Sequence, residues 1–154
     1  MRWDLEERTE DAFVAYLKQN VTGTMRVCAA WERDEMEYPC VLVHAGTTAP
    51  LADDAAWHDP RMLVVQVSVA TEGAHELDGS NNVQRTAREI NADARSSVLN
   101  ALAVSNLNAQ LVAQAVPGVA FSMAQMTQTQ RDVDGRNLVT VATVEVIAEP
   151  VTGT

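Results

Sequence analysis

The sequence predicts an α+β fold: a mainly antiparallel sheet of about five strands, with two long helices and a short one packed on one face. Three observations predict it. Segments 4–20 and 82–103 carry apolar residues at helical spacing. Segment 62–71, MLVVQVSVAT, alternates with the period of a strand. Residues 131–150, RDVDGRNLVTVATVEVIAEP, are a turn followed by a long regular strand. The implied order is helix, hairpin, strand, helix, short helix, hairpin, which keeps helices and strands in separate layers. No internal repeat or linker interrupts it, so residues 1–154 read as one domain with 149–154 as a loose tail.

In the first helix Leu5, Thr9, Ala12, Phe13, Tyr16 and Leu17 share a face. Asp4 and Glu7 have capping-box spacing, and Gly23 is a stop signal. The acids of its first half (Glu6, Glu7, Glu10, Asp11) and Lys18 near its end suit the helix dipole. Segments 25–31 and 39–45 read as the two arms of a hairpin, with Val27, Ala29 and Trp31 facing Val41 and Val43 and a charged tip at 32–37. Residues 46–60 form a long loop, of a length that in compact domains usually serves function. In the third strand Leu63, Val65, Val67 and Val69 point one way and Gln66 and Ser68 the other.

A second polar loop, 72–80, leads to the longest helix, with Val83, Ala87, Ile90, Ala94, Val98, Ala101 and Leu102 as its stripe and Arg85 pairing Glu89 at i,i+4. Ser105 is the expected cap of a short helix ending near Gln114. Segments 119–130 and 137–148 form the last hairpin around the turn signal Asp134-Gly135. Both faces of 138–147 carry apolar groups, which predicts an interior strand with a partner on each side. The polar run Gln125 to Gln130 is expected to reach past the domain as an arm.

Charge excludes some functions. The formal net charge is −10, with 21 acidic residues against 11 Lys and Arg. Such a surface repels nucleic-acid backbones and anionic membranes, which require clustered cations. It is compatible with a wall along which DNA slides without sticking, or with acidity for solubility alone. No apolar run approaches the length of a membrane span. The N-terminus is acidic and lacks the apolar core of a signal peptide, so cytoplasmic synthesis is expected. Cys28 and Cys40 lie symmetrically about Asp34 and would face each other across the hairpin; as reduced thiols they are small buried hydrophobes.

The densest polar cluster is Asp53, Asp54, His58 and Asp59 in the 46–60 loop, with His44 and His75 as further histidines. Carboxylates and imidazoles bind divalent metals, but these residues follow no recognised ligand spacing, and a solvated loop is the expectation. Trp57 beside them suits an anchor for a partner, or a ring tucked onto the domain. No nucleophile elbow, phosphate loop, dinucleotide fingerprint or C-x-x-C occurs, so neither catalysis nor a cofactor is expected.

The element order, together with Arg131-Asp132-Val133-Asp134-Gly135-Arg136 leading into Leu138 to Ile147, resembles the neck and tail-completion proteins of long-tailed bacteriophages, tail terminators in particular. The resemblance implies a subunit of a homo-oligomeric ring, typically of six, that caps the tail tube protein, ends tube growth and presents a face to the head-tail connector protein. DNA would pass through its pore without specific binding. Its working parts would be the 46–60 and 72–80 loops and the 125–137 arm. A head-side joining protein would read almost the same, and a monomeric adaptor is the reading without a ring. A ring of acidic subunits needs its few cations at contacts, so Arg85, Arg88, Arg95, Arg131 and Arg136 are expected there, and the polar 46–60 loop adds Asp53, Asp54, Trp57 and His58 as contact candidates.

Overall fold

The structure is a computed structural model that describes residues 4–23, 25–30, 37–46, 49–50 (backbone only) and 59–151. Three helices, α1 (Leu5–Asn20), α2 (Ala87–Leu102) and α3 (Leu107–Val112), cover one face of a sheet. Its strands are β1 (Arg26–Ala29), β2 (Cys40–Ala45), β3 (Ala49–Pro50), β4 (Arg61–Glu72), β7 (Val119–Asp134) and β8 (Asn137–Pro150). They are ordered β1-β2-β4-β8-β7, and β3 pairs with the start of β4. A separate ribbon pairs β5 (Glu76–Leu77) with β6 (Val83–Arg85). The α+β class holds, with a mixed rather than wholly antiparallel sheet.

The core follows the alternation. Leu63, Val65, Val67 and Val69 of β4 and Ala142, Val144, Val146 and Ala148 of β8 are fully buried beneath Phe13, Leu17, Val98, Leu102, Leu107 and Leu111. Burying such side chains at roughly 1.5–3 kcal/mol each is the main force holding helices to sheet. Tyr16 crosses the layer, donating its hydroxyl to the Ala101 carbonyl at 2.6 Å, and burial pushes its pKa up. Among the described residues no element covers the opposite face of β8. Val139, Val141, Thr143, Glu145 and Ile147 are half-buried there, so only one side of this strand has the layer the sequence suggested. Interleaved Thr143 and Glu145, and Gln66 on β4, keep that face compatible with water.

Several expectations are corrected. Segments 25–31 and 39–45 form no hairpin: β1 runs parallel to β2, with Arg26 opposite Cys40 and Cys28 opposite Leu42. Cys28 and Cys40 are therefore not cross-strand partners, and both are buried and outside any disulfide. The second helix starts at Ala87, because Thr86 accepts a hydrogen bond from the Glu89 N–H at 3.1 Å. Val83 and Arg85 lie in β6 instead, with Val83 54% exposed, and no Arg85–Glu89 helix pair forms. Asp4 makes no capping bond but pairs with Arg8 at 2.8 Å, and Asn106 rather than Ser105 precedes α3. Glu149 and Pro150, read as the start of a loose tail, belong to β8, and the Val151 N–H donates to the Gly118 carbonyl at 3.0 Å.

Candidate interaction surface

The most unusual part of the molecule is the far half of β7. This strand forms one edge of the sheet, paired with β8 from Val119↔Pro150 to Asp134↔Asn137. Its first half is covered: Phe121, Ala124 and Met126 lie opposite buried Ala148, Val146 and Val144, and α3 packs over them. Beyond Met126 the cover ends. Residues 127–136 are all exposed, and Val133 is 63% exposed. Register shifts between Phe121 and Met123 and between Met126 and Gln128 insert one extra residue each. The second bulge falls at the boundary between covered and open halves, where it re-aims the strand.

The expected free arm is instead a strand edge. Its partner β8 pairs with β4 over the whole span from Asn137↔Glu72 to Ala148↔Arg61, so the hairpin does not reach past the domain. Its tip is held too, by the Gly73 N–H donating to the Arg136 carbonyl. A Cβ at position 73 would stand 2.4 Å from that oxygen, which explains the glycine there. The two residues of the turn are Gly135, at φ +61°, and Arg136.

Arg131 lies opposite Thr140, on the helix-facing side of the sheet, and Asp132 lies opposite Val139 on the other. A cavity of about 310 Å³ brings Arg131 together with Arg88 of α2, joined by Asn91, Val133 and Leu138. Asn91 is committed to the fold: its amide donates to Thr71 Oγ1 at 2.9 Å and to the Leu138 carbonyl at 3.3 Å. Asp132, also at this cavity, accepts the Val133 N–H at 2.8 Å. No ion pair joins Arg88, Arg131 or Arg136 to a described carboxylate. A second cavity of about 450 Å³ lies between the α2–α3 turn and residues 122–126 of β7. The two cavities thus flank residues 127–130 of the open strand.

Arg85 behaves differently from the other expected contact residues. It pairs with Asp93 of α2 and, at 4.0 Å, with Glu76 across the β5–β6 ribbon, so it ties that ribbon to the helix. His75 also serves the ribbon: its Nδ1 accepts the Ala87 N–H at 2.9 Å, which satisfies an orphan donor at the start of α2. Asp78, in the same lobe, accepts the Asn82 and Ser80 N–H groups, which hold its carboxyl below the usual range. His44 Nδ1 lies 3.5 Å from Glu10. Buried Glu10 accepts the Ala45 N–H at 2.8 Å, and burial raises its pKa despite that bond. Asp53, Asp54, Trp57 and His58 lie outside the described residues. Among those described, no group of three or more His, Cys, Asp or Glu could hold a metal, and no helix is long and apolar enough to cross a membrane.

An unpaired strand edge offers backbone donors and acceptors. The adjoining arginines offer charge, and no potential nucleophile and base stand together with them in these cavities. Arg88 and Arg131 stand 43 positions apart in the sequence, and the cavity brings them together; the Thr86–Glu89 spacing is the capping signal that marks the start of α2. The chain matches no protein-family model, and no curated protein is significantly similar to it.

Proposed function

We propose that the protein is a structural subunit that assembles into a ring, in the manner of a phage tail terminator. In this reading the ring, of about six copies, caps the tail tube, ends its growth and offers its other face to the head-tail connector, while DNA threads the hole without specific contacts. It is made in the host cytoplasm and works in the virion. The observation that carries the reading is the open half of β7: eight consecutive exposed residues, 127–134, in a strand that among the described residues is paired on its β8 side alone. An unpaired edge of this length is a liability in a monomer and an asset in an assembly. A closed ring requires two different complementary patches per subunit, and strand addition at one edge is a ready means of making the first. The resemblance in element order and in residues 131–147 supplies the phage context.

Native mass spectrometry with negative-stain imaging of the purified chain tests the reading. The expected result is a closed ring with a central hole, alone or on purified tail tubes. A protein that stays monomeric in both settings and leaves tube growth unchanged sinks it.

A further inference from the structure

The far half of β7 is one wall of a groove whose other wall is α2. Arg88, Arg95 and Leu102 recur every seven residues along α2, so they lie on one stripe of the helix. Arg88 lines the cavity that includes Arg131, and Leu102 lines the one at residues 122–126. Arg95 lies midway. Its Nη1 is buried and has no hydrogen-bond acceptor among the described residues. A buried guanidinium N–H without an acceptor is costly, and a carboxylate is its best-matched partner. The groove combines a strand edge, unpaired among the described residues, with two arginines that line one cavity, Arg88 and Arg131, on a chain whose net charge is −10. Its surroundings offset this charge only in part: Asp93 pairs with Arg85, Asp132 at the cavity faces two arginines, and Asn91 is engaged by Thr71 and Leu138.

We propose that this groove is the seat for an acidic, extended segment of a neighbouring copy of the chain. The segment adds as a strand along residues 127–134 of β7, and its carboxylates reach Arg88 and Arg131. The occupant is assigned by charge: the chain carries 21 acidic residues against 11 basic ones, so a second copy presents the carboxylates that this groove lacks. The inference rests on the ring reading and specifies which surface closes the ring.

The test compares self-association of the full chain with that of an Arg88→Glu plus Arg131→Glu variant by sedimentation velocity, with hydrogen exchange on residues 127–134. Both arginines are exposed or border a cavity, and circular dichroism and thermal melting confirm that the variant folds. The expected result is self-association that weakens with salt, drops about 100-fold in the variant, and protects the 127–134 amides on assembly. If the wild type forms rings, and the variant forms them with equal affinity or the 127–134 amides stay unprotected, the seat is wrong while the ring reading stands. If the wild type self-associates neither alone nor on purified tail tubes, both fall. A wild-type monomer that binds a single-stranded oligonucleotide through Arg88 and Arg131 also overturns the proposal, in favour of a phosphate ligand.

Discussion

The two halves of β7 share one partner strand and differ in what covers them. Residues 119–126 lie under α3, with Phe121 buried and apolar side chains turned to the core. Residues 127–134 carry Thr129, Arg131 and Val133 on the corresponding side, all exposed. Both halves keep the same backbone ladder to β8. The ladder alone is thus enough to hold a strand in place once its partner is pinned elsewhere, as β8 is by β4. Side chains on the open half are thereby released from packing, and their composition can answer to another molecule.

Four changes probe this contrast, in order of expected effect. Phe121→Ala removes a buried ring from the covered half and should cost about 3–5 kcal/mol, read as a lower urea midpoint with an unchanged slope. Gly73→Ala forces a methyl against the Arg136 carbonyl and should cost about 1–3 kcal/mol; hydrogen exchange should quicken at 133–138 and not at 119–126. Arg85→Ala loses an exposed ion pair and should cost at most about 1 kcal/mol, a difference that shrinks in high salt. Arg131→Glu on the open half should shift stability by no more than about 0.5 kcal/mol while weakening assembly. If Arg131→Glu instead unfolds the chain, the open half is part of the fold and the contrast fails.

A further measurement separates core electrostatics from this surface. Burial raises the pKa of Glu10, so the folded state binds its proton more tightly than the unfolded chain does. Stability should therefore fall as pH rises from the ordinary glutamate range through the raised value, and Glu10 should oppose folding above it. Glu10→Gln keeps an acceptor for the Ala45 N–H and should flatten that part of the curve, giving a higher melting temperature at neutral pH. A variant with an unchanged pH profile would show that Glu10 does not set it.

Much of the fold was legible because its core is periodic. The alternation of Leu63, Val65, Val67 and Val69 fixed a strand and its buried face, and Phe13 and Leu17 marked the inner side of α1. Strand direction was not legible. Val27 and Val41 have the same pattern whether their strands run together or oppose, so β1 was read as half of a hairpin. Val83 fits both the helical stripe and a two-stranded ribbon, and the capping bond at Thr86 decides between them. At the candidate site, residue types could be picked but not assembled. Arg85 and Arg88 are near neighbours in sequence, yet one is locked to Asp93 and the other opens onto Arg131. Only the turn of α2 away from β6 separates their roles.

The position of β8 between β4 and β7 also governs how the molecule carries load. A pull on β7 along its axis is borne by every rung to β8 and then by every rung to β4, all at once. A pull away from the edge would open those rungs one after another. A neighbour attached as a further strand on β7 would pull along the axis whenever the two subunits slide past each other, so the domain would meet that shear in its strongest direction.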